Sequence, residues 1–154
     1  MTKHEDILIF SKGTAANCSK NNMTYNPQNL ILHNKRYSNG KRKIGTIAGI
    51  RPCNKNYENH LREFTNYPTD VLYFDVPATN KKFHTNQKPV DLLEYLIKTY
   101  TNEGELVLDN CIGSGSTAVA AINTNRNFIG FETEKEYFNI ANRRIAEAQA
   151  AKER

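Results

Sequence analysis

Two carboxylates and two glycines mark the part of this sequence best able to do chemistry. Asp109 closes the apolar run Leu106, Val107, Leu108, and Glu132 closes a second run, Phe128 to Phe131, so that the two acids stand 23 positions apart. Gly113 and Gly115 lie between them, in LDNCIGSGSTAVAA. A carboxylate at the second strand end can accept both hydroxyls of a ribose. Glycine lacks a Cβ and tolerates positive φ, so the intervening backbone can turn sharply and admit a ligand at close range. The chemistry implied is the binding of a nucleoside.

The elements that must position these groups follow from the pattern around them. Leu106 to Asp109 reads as a short buried strand, Thr117 to Ile122 as a helix of small residues, and Phe128 to Glu132 as a second strand. This is a βαβ unit, and open α/β sheets bind ligands at the carboxyl ends of their strands. The loop differs from two common relatives. Gly115 is followed by Ser116, Thr117 and Ala118, with no third glycine for a dinucleotide fingerprint, and no lysine follows to make a phosphate-binding loop. Asp109 would repel a pyrophosphate but suits the cationic methionine part of S-adenosylmethionine. The candidate cofactor contacts are therefore Asp109, Cys111, Gly113, Ser114, Gly115, Ser116, Thr117 and Glu132. Ser116 and Thr117 have a competing role as helix N-caps.

Three blocks of this sequence resemble the DNA amino-methyltransferases of the adenine-N6 and cytosine-N4 type. FHTNQKPVDLLEYLI, Phe83 to Ile97, is similar to the family's H-P-T-Q-K-P block; LDNCIGSGSTAVAA is similar to its D-x-F-x-G-S-G-T-T loop; and IGFETEKEYFNIANRRI, Ile129 to Ile145, is similar to its G-x-E strand and closing helix. HEDILIFSKG, His4 to Gly13, resembles the strand that follows the catalytic half. Cys111 stands where the family often has Phe, and Thr85 with Asn86 replaces its Pro and Thr.

The resemblance implies an α/β fold, a partial Rossmann-like methyltransferase domain in three α/β/α layers. It also implies a place for Lys88 beside the methionine end of the cofactor, and double-stranded DNA as substrate. The reaction implied is methyl transfer to a base amine, adenine N6 before cytosine N4, in a bacterial or phage-infected cytoplasm, as in restriction-modification. The family's catalytic motif, D-P-P-Y or S-P-P-Y, polarises the delocalised amine and stacks on the flipped base. This chain contains no Pro-Pro pair, and Asp75-Val76-Pro77-Ala78 lacks both the second proline and the aromatic. No catalytic residue is assigned, which leaves either a separate chain carrying the catalytic half or an inactive remnant that binds cofactor or DNA.

Charge divides the chain more sharply than its net +5 shows. Residues 1–60 hold ten Lys or Arg against three Asp or Glu, a net of +7, and residues 61–154 hold eleven against thirteen, a net of −2. Lys35, Arg36, Lys41, Arg42, Lys43 and Arg51 cluster around Tyr37 and Asn39 in a stretch without periodicity, suited to phosphates through the basic groups and to base edges through Asn, Gln and Arg. A solvated basic loop is the alternative. The expected organisation is a strand remnant at 1–13, a basic, irregular, target-recognition-like region at 14–82, and a cofactor-binding α/β subdomain at 83–154.

The other signals are plainer. No apolar stretch approaches the roughly 20 residues of a membrane span. Three cysteines without a C-x-x-C pair argue against a disulfide framework, and Cys18, His33, Cys53 and His60 lack the close spacing of a zinc site. Pro89 suits a first helical position ahead of Leu92, Leu93, Leu96, Ile97 and Tyr100, and Thr133 with Glu136 forms a capping-box pattern.

Overall fold

The computed structural model describes residues 5–12, 22–37, 60–75, 83, 84 and 86–154. They fall into two units, one formed by residues 1–26 and 71–154 and the other by residues 27–70.

In the larger unit, α1 (Val90–Tyr100), β3 (Leu106–Asp109), α2 (Ser116–Asn123), β4 (Asn127–Gly130) and α3 (Lys135–Lys152) follow one another along the chain. β3 and β4 pair in parallel, Leu106 opposite Asn127 through Asp109 opposite Gly130. The pairing continues past the strand ends, where the Phe131 amide donates to the Asp109 carbonyl and the Ile112 amide to that of Phe131. The core is built from Ile97 of α1 and Ala120 and Ala121 of α2, with Val90, Leu93, Val107 and Phe128 packed against them. Alanines at 118, 120 and 121 are fully buried. Side chains that small let α2 lie close to its neighbours at little cost in side-chain entropy.

Among the described residues, only one face of the β3–β4 pair is covered. Strand side chains alternate between faces, so Val107 and Phe128 reach the core while Leu106, Leu108, Ile129 and Phe131 are exposed. No third strand joins the pair among the described residues. The strand expected within the block His4 to Gly13 is not formed over its apolar residues Ile7 to Phe10, and Leu8 and Phe10 are 74% and 86% exposed. A strand exists only where a neighbour supplies a hydrogen-bonding edge, and none runs beside this segment among the described residues.

Helix starts also depart from expectation. Pro89 is the N-cap of α1 rather than its first residue, with ψ 135°. Gly115, in the left-handed region at φ 83°, is the N-cap of α2, so neither Ser116 nor Thr117 caps it. α3 begins after Glu134, not at a Thr133–Glu136 capping box. There the Glu132 carboxylate takes the amides of Thr133 and Glu134 instead, delaying helix entry.

The smaller unit is not wholly irregular. β1 (Ile31–Tyr37) and β2 (His60–Thr65) pair antiparallel, with an irregularity between Leu32 and Lys35 where Asn34 takes φ 46°. The Asn66 side chain donates to the Asn29 carbonyl at 2.7 Å. Lys41, Arg42, Lys43, Arg51, Cys18 and Cys53 lie outside the described residues, as do Thr85 and residues 76–80. No helix among the described residues is long and apolar enough to cross a membrane, and no group of metal-ligating side chains is found among them.

Candidate functional site

The site is assembled at the carboxyl ends of two adjacent parallel strands. Asp109, the last residue of β3, is half-buried and ties down the loop that leaves it. Its Oδ1 accepts the Cys111 amide at 3.0 Å and its Oδ2 accepts the Thr117 hydroxyl at 2.5 Å. Each carboxylate oxygen has a second lone pair, so Asp109 can hold the loop and still face a cationic ligand. Thr117, expected as a ligand contact or a cap, thus reaches back from the first turn of α2 to orient the acid.

Both glycines of the loop are left-handed, Gly113 at φ 55° and Gly115 at φ 83°. At Gly115 proximity adds to conformation, since a Cβ there would stand 3.0 Å from both Cα and Cβ of Ala141 in α3. The Gly115 amide donates to the Ile112 carbonyl at 2.9 Å, closing the turn that leads into α2. Ser114 and Ser116 are buried, with 3% and 5% exposure, and Cys111 is exposed with a free thiol.

Glu132 lies two residues past β4. Its Oε1 accepts the Thr133 amide at 2.8 Å and the Glu134 amide at 2.9 Å. The Glu134 amide is the main influence holding its carboxyl below the ordinary 4.5, with the Thr133 and Gly113 amides and His84 acting in the same direction against partial loss of water. The backbone just before Glu132 meets the loop directly, the Ile112 amide donating to the Phe131 carbonyl at 3.0 Å. Asp109, Cys111, Gly113, Ser114, Gly115, Ser116, Thr117 and Glu132 therefore form one connected cluster. Lys88 pairs with Glu5, its ammonium 2.6 Å from that carboxylate with both side chains exposed.

Several residues around the cluster were not singled out from sequence. The His84 ring meets Tyr137 edge-on at 4.3 Å between centroids and lies beside Gly113. Gln87 accepts the Phe83 amide at 2.9 Å and the Ser114 hydroxyl at 3.4 Å. Arg144 donates to the Ser114 carbonyl at 2.6 Å. His84 and Gln87 belong to the block that resembles H-P-T-Q-K-P, which was the available signal; nothing local distinguishes Arg144 from Arg143. In the smaller unit Lys35 stands opposite Arg62 in the register of β1 and β2. Arg62 was missed because its strand partner lies far away in sequence.

Comparisons with known proteins bear on the same residues. Residues 2–143 match the family model described as DNA methylase, of the N6/N4 type. The chain is 32% identical to the type II methyltransferase M.HpaI of Haemophilus parainfluenzae over 143 residues, covering 93% of this chain and 38% of that protein. It is 34% identical to M.BglII of Bacillus subtilis over 142 residues, covering 90% of this chain and 35% of that one. The crystal structure of the M1.HpyAVI-SAM complex is 40% identical, covering 52% of this chain and 42% of that chain with a TM-score of 0.44. The chain spans less than two fifths of the length of these two methyltransferase relatives.

Proposed function

This chain belongs to the N6/N4 DNA methylase family, and on that premise we propose that its glycine loop binds S-adenosylmethionine for methyl transfer to a base amine of double-stranded DNA, adenine N6 before cytosine N4. The observation that carries the reading is the placement of Asp109 and Glu132 at the carboxyl ends of neighbouring parallel strands, with a doubly left-handed glycine turn between them. The cofactor supplies an electrophilic methyl group on a sulfonium. Asp109 faces the cationic methionine end, and Glu132, kept ionised by backbone amides, receives the ribose hydroxyls. The donor set fits a ligand that is cationic at one end and a diol at the other.

The exposed Lys35 of β1 supports DNA contact by the smaller unit. Lys35, Arg36, Lys41, Arg42, Lys43 and Arg51 are proposed to share that role. The setting proposed is the cytoplasm, as for the bacterial restriction-modification relatives.

The groups that polarise the base amine are proposed to come from a segment other than these 154 residues, because no Pro-Pro pair occurs in them. The same observation favours a second reading, a remnant that binds cofactor or DNA without transferring methyl groups. Isothermal titration of S-adenosylmethionine into the chain, beside Asp109→Ala and Glu132→Ala, tests the pocket, and unchanged affinity in both variants rejects it. Methylation assayed with a D-P-P-Y segment supplied in trans separates the two readings.

A further inference from the structure

Arg144 reaches from α3 into the back of the glycine turn. Its Nη1 lies 2.6 Å from the Ser114 carbonyl oxygen, 3.1 Å from the Ser114 hydroxyl and 3.2 Å from the Ser116 hydroxyl. The guanidinium sits over the Phe83 ring, 5.1 Å from its centroid. Among the described residues no carboxylate lies within ion-pair distance of it; Glu147, which pairs with the exposed Arg143 at 3.9 Å, acts on it only through space. Partial burial pulls its pKa below the ordinary arginine value. A half-buried cation whose hydrogen-bond partners are a carbonyl and two buried hydroxyls is costly as mere filling, so its place calls for an explanation.

The turn it grips needs holding. Gly113 and Gly115 are both left-handed, and glycine loses more conformational freedom on ordering than any other residue. Ser114, between them, is buried and takes Arg144 on both its carbonyl and its hydroxyl. Phe83 and Gln87 bring the segment before α1 to the same point.

We propose that Arg144 is a positioning residue that holds the Gly113–Gly115 turn in its ligand-ready shape without touching the ligand; this rests on the reading of that turn as the S-adenosylmethionine loop. Removing it leaves the turn to sample many shapes, and apparent affinity falls in proportion to the fraction still competent. Lysine cannot replace it fully, because a single ammonium lacks the planar fork that both donates and stacks.

The experiment uses the whole chain as wild type, Arg144→Ala, Arg144→Lys and, as control, Arg143→Ala. S-adenosylmethionine binding is measured by calorimetry, and amide hydrogen exchange is followed without ligand. Arg144→Ala is expected to weaken binding about tenfold, with partial rescue by millimolar guanidinium ion. Arg144→Lys is expected to weaken it about threefold, and Arg143→Ala to leave it unchanged. Exchange at residues 113–116 should rise in both Arg144 variants while Leu106 to Asp109 stay protected. Unaltered affinity with unaltered loop protection overturns the proposal, as does faster exchange spread evenly over the unit with affinity unchanged. If Arg144→Ala does not fold, Arg144→Lys decides by the same two readouts. Failure of the wild type to bind S-adenosylmethionine would reject the cofactor reading instead, and the exchange comparison would still decide whether Arg144 holds the turn.

Discussion

The unit containing β3, α2 and β4 and the unit containing β1 and β2 solve different problems. In the first, fully buried alanines, two left-handed glycines and a tethered carboxylate fix a small set of backbone atoms closely. In the second, two strands pair across an irregularity, Ile31 and Leu32 are 57% and 65% exposed, and basic residues stand opposite each other. The first has the rigidity needed to hold a small molecule in one pose. The second, with Lys35 exposed, is the surface proposed to follow a polyanion, where affinity comes from counterion release and tolerates looser geometry.

Substitutions should expose that contrast. The largest effect is expected from Gly115→Val, which combines a strained φ of 83° with a Cβ at 3.0 Å from Ala141. Each problem alone typically costs about 1–3 kcal/mol, so thermal unfolding should show loss or severe loss of the cooperative transition of the larger unit. A melting curve like that of wild type would break the picture of a tightly fitted loop.

Asp109→Ala comes next. It removes the acceptor for Cys111 and Thr117 as well as the proposed ligand contact, and should weaken S-adenosylmethionine binding by about 1–3 kcal/mol in calorimetry. Glu132→Gln tests the same loop through pH. Because the folded carboxyl is held below its ordinary 4.5, its ionised form stabilises the fold above that value, and this contribution is lost as pH falls through the lower folded value. Acid titration of stability should therefore be flatter for Glu132→Gln than for wild type below about pH 4.5. Equal acid sensitivity would show that the amides of Thr133 and Glu134 do not bias this group.

The smallest effect on stability is expected in the other unit. Lys35 is exposed on β1, so Lys35→Ala should change the unfolding free energy by no more than about 0.5 kcal/mol. Duplex DNA affinity should nevertheless fall at every sequence tested, and the slope of log affinity against log salt should shrink by about one. An unchanged salt slope would remove Lys35 from the proposed DNA surface.

The same contrast explains what the sequence makes legible. β3, α2 and β4 come from apolar runs and small residues within a 25-residue stretch, Leu106 to Gly130, where periodicity and spacing suffice. Asp109 could be placed because it ends a strand, and Gly113, Gly115 and Glu132 because they lie in the short loops that follow the strand ends. β1 and β2 are separated by 22 residues, 38–59, and their pairing depends on a polar register that no local pattern announces. Ile7 to Phe10 looks like a strand by composition, but composition cannot provide the neighbour it needs. The capping signals at Ser116 and Thr117 misled because Arg144 and Asp109 claim their hydroxyls through contacts made only on folding, while at Thr133 the neighbouring Glu132 takes the Thr133 and Glu134 amides locally. Arg144 shows the same limit, since only folding brings α3 against the loop.

The bare side of the β3–β4 pair has a practical consequence. Leu106, Leu108, Ile129 and Phe131 form a water-facing apolar strip on strands with no further neighbour among the described residues. Surfaces of this kind adhere to one another and bind amphiphilic dyes. Concentration therefore becomes a variable in any solution experiment on this chain: the apparent mass from light scattering should rise with protein concentration, and Leu108→Glu should suppress that rise while leaving the glycine loop at the strand ends undisturbed.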